Sequence, residues 1–355
     1  MKPHHLPALA VLWGLLASVL TAACAQPAAP AAYPAAEAAP SPAAPARAPV
    51  TPSPAPQVRY AARIAYPSPS LSYFPIYVGW REGLFAEEGV DLEWIGLQWN
   101  LMISALVSGE VDYGTSFSSI VRAAATGVDV RAILATVDRP QHTFVVSPEI
   151  VSGEQLRGKR IAINSLGGAQ EYEAYQVLAR YGLARTDAML TGIPSEATRL
   201  QALIAAAIDA AVMNSPYDLQ AEDNGFRVLV RLADIIELTH AGVGTSTAKL
   251  RAAPDEVKRF LKASLRSVEL SKRNKALVVG YIQDWMEMPS DLANRAYDVA
   301  LPTWSSTGVA PEAGLQLDLA EVKAQTGSSD DIPISRVVDY TLLREASREL
   351  GRPLP

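Results

Sequence analysis

The chain has 355 residues, a net charge of −6, 19% charged residues, four histidines and one cysteine. A lone cysteine excludes an intrachain disulfide and a cysteine-rich metal site. No Lys/Arg cluster marks a nucleic-acid surface, so no nucleic-acid partner is expected.

Met1–Leu20 carries Lys2 and an apolar run from Leu6 to Leu20, followed by Thr21-Ala22-Ala23. The run is too short to span a bilayer comfortably, so residues 1–23 read as a secretory signal. Leu20-Thr21-Ala22-Ala23-Cys24 resembles the lipobox of bacterial lipoproteins. The resemblance implies lipidation at Cys24 and an exported chain, periplasmic or at the cell surface, anchored to a membrane. An ordinary cleaved signal with an incidental cysteine is the alternative. Residues 24–57 are nearly all Ala and Pro, with Glu37 and Arg47 as their charges. Proline forbids helix there and nothing is available to bury, so the segment reads as an extended, semi-rigid tether.

The body from Val58 onward, roughly 300 residues, is long enough for two lobes, each with its own core. Val58–Tyr66 alternates and is rich in β-branched and aromatic residues, which predicts a strand. Phe74–Glu88 predicts a helix that Gly89 ends. Then come a strand over Val90–Leu97, a helix over Asn100–Ser108, a strand over Val111–Ser116, a helix over Ser118–Ala125 capped by Ser118, and a strand over Val130–Thr136. A second series begins near Val145. It has strands at Arg160–Asn164, Met189–Ile193 and Ala210–Met213. Helices fill the gaps, one from Gly167-Gly168 to about Tyr181 and one over Ala197–Ala207. Strands separated by helix-length segments predict βαβ units and mostly parallel sheets covered on both faces. From Pro254 the pattern is helical. Pro254 suits the first helical position, and Val257, Phe260, Leu261, Leu265 and Val268 form one apolar stripe. Further helices are predicted at Ala276–Met286, Asp291–Leu301, Gly314–Ala324 and Val337–Leu350.

Four segments carry a family resemblance. The first is Pro75-Ile76-Tyr77-Val78-Gly79-Trp80-Arg81-Glu82-Gly83-Leu84-Phe85 with Glu88-Gly89-Val90-Asp91-Leu92. The second is Leu106-Val107-Ser108-Gly109-Glu110-Val111-Asp112-Tyr113-Gly114. The third is Leu156-Arg157-Gly158-Lys159-Arg160-Ile161-Ala162, and the fourth is Ala207-Ile208-Asp209-Ala210-Ala211-Val212. In this order they resemble the solute-binding proteins of ABC transporters in the nitrate/alkanesulfonate/taurine and thiamine-pyrimidine-precursor group. Ala205-Ala206-Ala207 departs from the Gly-containing turn usual before the last segment. The resemblance implies an α/β, two-lobed periplasmic-binding-protein (type II) fold, each lobe a mostly parallel sheet flanked by helices, with the ligand cleft between lobes. It places lobe 1 at residues 58–143 and 244–355 and lobe 2 at residues 144–243.

Loops that follow strands face the crevice in such sheets. The candidate ligand-binding residues are therefore Ser70 and Tyr73 in the first loop, Gln98, Trp99 and Asn100 after the second strand, and Ser116 and Phe117 after the third. Arg139 and His142 lie in the first crossing. Ser165, Gly167, Gly168 and Gln170 open the first helix of lobe 2. Ser195, Glu196 and Asn214 end the next two strands, and Thr245 and Ser246 near the return crossing are further candidates. Ser, Thr, Asn, Gln and aromatics dominate this set, favouring a small neutral, aromatic or pyrimidine-like solute, with Arg139 keeping an organic anion open.

His4 and His5 leave with the signal. His142 and His240 have no cysteine partner and no metal-ligand spacing, and no H-E-x-x-H, G-x-S-x-G or dinucleotide motif is present. The expectation is a monomeric, cofactor-free binder that delivers its solute to ABC permease subunits. A sensor of the same fold that signals to a membrane receptor, or a pyrimidine-precursor biosynthesis enzyme, is the alternative.

Overall fold

The structure, a computed structural model, describes residues 58–166, 169–236, 238–239, 241–327, 331–352 and 354, with Trp99 and Asn100 as backbone only. The expected signal, Cys24, the tether, Gly167, Gly168 and His240 lie outside the described residues. No helix among the described residues is long and apolar enough to cross a membrane.

The first series runs β1 (Tyr60–Tyr66), α1 (Phe74–Arg81), α2 (Leu84–Glu87), β2 (Val90–Gly96), α3 (Trp99–Ser108), β3 (Tyr113–Gly114), α4 (Phe117–Ala125) and β4 (Val130–Ala135). The second runs β5 (Thr143–Val146), β6 (Arg160–Ile163), α5 (Ala169–Arg180), β7 (Met189–Gly192), α6 (Glu196–Ile204), β8 (Ala210–Met213), α7 (Tyr217–Asp223) and β9 (Arg227–Arg231). The chain then returns through β10 (Gly242–Ser246) and α8 (Thr247–Ala252). The helices α9 (Pro254–Arg273), α10 (Lys275–Met286), α11 (Ser290–Ala300), α12 (Glu312–Thr326) and α13 (Thr341–Glu349) complete it.

Two 5-stranded sheets result, ordered β2-β1-β3-β10-β4 and β7-β6-β8-β5-β9. The strands β1, β2 and β3 are parallel, as are β6, β7 and β8. The antiparallel strands β10 and β5 are the ones that follow a crossing between sheets. A parallel neighbour requires a helix to carry the chain back to the starting edge. A chain that enters a sheet at the edge where earlier strands end has no such return and must run the other way. Accordingly Gly242 pairs with Ala135 at the end of β4, and Thr143 with Met213 at the end of β8. Both crossings therefore join the C-terminal edges of the two sheets.

Several predicted elements change at their ends. The helix over Phe74–Glu88 is two helices, because Gly83 adopts a left-handed φ of 78° between them. The strand over Val111–Ser116 pairs only at Tyr113–Gly114, and helix α4 begins at Phe117. Ser118 is thus inside the helix and does not cap it; its Oγ donates to the Thr239 carbonyl at 3.2 Å. The sequence reading left α7, β9, β10 and α8 without elements of their own.

Helix α9 anchors lobe 1. Its Phe260 stacks on Tyr113, with centroids 3.9 Å apart, and meets Phe85 of α2. Gly79 lets α1 lie against α9, because a Cβ there would sit 1.6 Å from Ser267 Oγ and 2.5 Å from Ser267 Cβ. The lobes also touch beyond the crossings. Leu219 of α7 is buried with Leu292 and Ala296 of α11, and Leu317 of α12 packs on the lobe 2 core.

Gly79→Ala is expected to destabilise the fold. Overpacking costs about 1–3 kcal/mol, against at most about 1 kcal/mol gained from helix propensity. Urea unfolding should show the loss, and adding Ser267→Gly should recover most of it. A second expectation concerns Asp318, buried between α12 and α4. Burial pushes its carboxyl up to about 6, against the pull of Arg122 at 3.3 Å. The folded state then holds this proton more tightly than the unfolded chain, whose carboxyl titrates near 3.8. The ionised form costs about 2–3 kcal/mol above pH 6, and the cost fades as pH falls toward 4. Asp318→Asn should flatten that part of the stability–pH profile.

Candidate functional site

The joined strand edges enclose a cleft of about 860 Å³, within the range of small-molecule sites. Lobe 1 supplies Ser68, Ser70, Ser72 and Tyr73 from the β1–α1 loop and Thr115 after β3. It also supplies Trp285, Met286, Glu287 and Met288 from the end of α10. Lobe 2 supplies Asn164 after β6, Gln170 in the first turn of α5, Glu196 and Arg199 of α6, and Asn214, Ser215 and Tyr217 after β8. The crossings contribute His142 and Ala241.

The lobe 1 wall is aromatic and held from behind. Trp285 stacks on Tyr77 at 4.1 Å and 6°, and its ring also meets Tyr66, Tyr73, Phe74 and Trp94. Tyr73 donates its phenol to the Ser68 carbonyl, which closes the β1–α1 loop on itself. Ser72 Oγ donates to Gln141 at 2.6 Å, and Gln141 reaches Thr303 at 2.8 Å. The loop is therefore pinned to the first crossing.

The charged groups of the lobe 2 wall are matched among themselves. His142 Nδ1 lies 2.9 Å from Oε1 and 2.8 Å from Oε2 of Glu173 on α5. Burial pushes the imidazole down, but Glu173, helped by Glu196 and opposed by Arg199, outweighs it, and the net shift is upward from 6.5. Arg199, with its side chain 1% exposed, donates to the carbonyls of Ile193 at 2.5 Å and Pro194 at 3.3 Å. Its Nη2 donates to Glu196 Oε1 at 3.0 Å. Burial raises the Glu196 carboxyl, while Arg199, His142 and Asn214 work against that rise. Ser215 donates to Asp218 at 2.7 Å, as does Thr143.

Of the residues expected from sequence, Ser70, Tyr73, His142, Gln170, Glu196 and Asn214 come together around the cleft. Gln98, Ser116, Phe117, Arg139, Ser165 and Ser195 are not among its lining residues. Gln98 precedes α3 and makes no capping bond. Ser116 and Phe117 are buried, Phe117 beneath Gly242, where a Cβ would meet its ring at 2.7 Å. Because α4 starts one residue early, Phe117 turns into the core. Arg139 donates to the Ala233 carbonyl at 3.3 Å, so it braces the two crossings. Ser165 is exposed beside Asn164, and Ser195 caps α6 through the Thr198 amide at 3.3 Å. Thr245 donates to the Asp112 carbonyl at 2.7 Å, and Ser246 caps α8.

The sequence reading missed Arg199, Ser215, Tyr217 and the Trp285–Met288 turn. Glu196 and Arg199 stand at i,i+3 on one helix, a legible spacing for an ion pair. Glu287 adopts a left-handed φ of 53° at the end of α10, which no glycine announced. Among the described residues no group of His, Cys, Asp and Glu is arranged to hold a metal ion.

Glu173→Gln should lower the His142 pKa below 6.5, because burial then meets little opposition. Imidazole titration followed by NMR checks this. The stability that His142 contributes is fully present below pH 6.5 and lost as pH rises through its folded pKa, so the variant should lose stability most below pH 6.5.

The NMT1/THI5 like family matches residues 71–274. The riboflavin-binding protein RibY of Chloroflexus aurantiacus is 25% identical over 253 residues, 67% of this chain and 71% of that protein. Among solved structures, the periplasmic aliphatic sulphonate binding protein SsuA from Escherichia coli superposes with a TM-score of 0.66 at 19% identity, covering 79% of this chain and 92% of its own. The desulfurization enzyme DSZB superposes at 0.62 and 13% identity, covering 82% and 100%. These likenesses show the fold, and a fold shared by a binder and an enzyme does not by itself decide the activity. The family match covers more than half of the chain, and it establishes that the protein belongs to the NMT1/THI5 like family and has a periplasmic-binding-protein fold.

Proposed function

We propose that this protein is an exported solute-binding protein that captures a small neutral, aromatic or pyrimidine-like molecule between its lobes and delivers it to an ABC permease. The observation that carries this reading is the internal neutralisation of the cleft. His142 is matched by Glu173, and Arg199 is committed to Glu196 and two carbonyls. A bare anion such as nitrate or a sulfonate is held best by a cation turned toward it, and the cations at this cleft are already engaged. Besides the Glu287 carboxylate at the rim, what faces the solute is amide, hydroxyl and aromatic surface, led by Trp285. The name of the relative RibY, a riboflavin binder, agrees with a planar, uncharged ring system.

Capture works by closure, provided ligand contacts favour the closed arrangement over the open one. The two crossings serve as hinges. The Pro/Ala tether and a lipid on Cys24 keep the protein near its permease, raising their effective concentration.

A thermal-shift screen across pyrimidines, flavins, aromatic carboxylates, alkanesulfonates and nitrate tests the reading. A ligand at a hundred times its dissociation constant stabilises by about 2.7 kcal/mol, a rise of roughly 4–5 °C for a body of about 300 residues. Neutral ring compounds should produce it. A rise with nitrate or sulfonates alone would contradict the proposal. Trp285→Ala should remove most of the ligand-induced rise while the unliganded protein stays folded.

A further inference from the structure

We infer that the solute presents an imide or lactam edge, an N–H flanked by carbonyls, and that Asn164, Gln170 and Asn214 read it. This rests on the reading of the cleft as a neutral-solute site and names the chemistry recognised there.

The argument is a hydrogen-bond census in which each amide orientation is forced by its partner. Gln170 is 3% exposed and lines the cleft. It receives the Asn164 backbone N–H at 2.8 Å, and a backbone N–H can only donate, so the acceptor is Oε1. Its Nε2 is then a donor with no partner among the described residues. Asn164 Oδ1 receives the Ser165 N–H at 2.7 Å, which leaves Nδ2 as a second donor without a partner there. Asn214 is forced the opposite way. Its Nδ2 donates to the Glu196 carboxylate at 3.1 Å, leaving Oδ1 as an acceptor.

None of these three atoms is sealed from solvent as a buried, unpaired group. All belong to residues that line the cleft, and all come from strand-end loops or the first helical turn of lobe 2. Two donors and one acceptor complement a carbonyl, an N–H and a second carbonyl. The opposing wall, Trp285 with Tyr73 and the two methionines Met286 and Met288, suits the flat apolar face of a ring that carries such an edge. A site built around hydrogen bonds rejects analogues that leave its polar groups unpaired, so the edge sets specificity.

The test uses the full chain and two probes, lumichrome, which has the imide N–H, and its N3-methyl derivative, titrated by fluorescence with phenazine and glucose as controls. Lumichrome should bind at least about tenfold more tightly than the methylated ring. Gln170→Glu keeps the acceptor for the Asn164 N–H and removes the donor, and Asn164→Asp does the same for the Ser165 N–H. Each should weaken lumichrome by about tenfold or more and narrow the difference between the two rings. Thermal melts establish that the variants fold. Equal binding of both rings, unchanged affinity in both variants, or failure of lumichrome to bind overturns the inference. Phenazine or glucose binding in that last case leaves the neutral-solute reading standing, whereas binding restricted to sulfonates or nitrate overturns both.

Discussion

Everything that positions the cleft depends on how the chain passes between its two sheets. Both crossings leave and enter at the edges where the parallel strands end. That choice makes β5 and β10 antiparallel, turns the two C-terminal edges toward each other, and gathers loop residues from distant parts of the sequence around one space. The rest of the fold supports this arrangement. Helix α9 is fixed to lobe 1 through the Tyr113–Phe260 stack and the close approach at Gly79. The C-terminal helices place Trp285 in the cleft and Leu292 against Leu219 of the other lobe.

The second constraint is electrostatic. Buried charges are costly unless paired, and the cleft pairs them locally. Glu173 supports His142 from α5, and Glu196 meets Arg199 within one helical turn while also fixing the Asn214 amide. Glu196 therefore does two things: it offsets a cation and it orients a neutral amide at the cleft. Strong recognition of a bare anion on the same fold would favour a cation left open, so a few side chains, and not the architecture, decide which charge the cleft suits.

The lobes, the strand–helix alternation and about half of the cleft were legible in the sequence. Loops after strands face the crevice for topological reasons, so position alone places Ser70, Tyr73, Gln170, Glu196 and Asn214 beside the cleft. Phe117 was misplaced because a one-residue shift in the start of α4 turns its side chain from the cleft to the core. Arg139 reads as an anion ligand by composition, yet its partner, the Ala233 carbonyl, is a backbone group that no pattern of residue types reveals. Trp285 was invisible for another reason. It lies on a helix assigned to the C-terminal layer, and only its stack on Tyr77, far back in the chain, brings it to the cleft wall. The i,i+3 spacing of Glu196 and Arg199 is a signal of their ion pair that the sequence itself carries.

The most direct measurement of the central claim is native mass spectrometry of the protein purified from the organism that makes it, followed by release and identification of whatever solute it retains. The account requires a neutral compound with a planar ring. A retained nitrate, sulfonate or other small anion, held without a neutral companion, would contradict it.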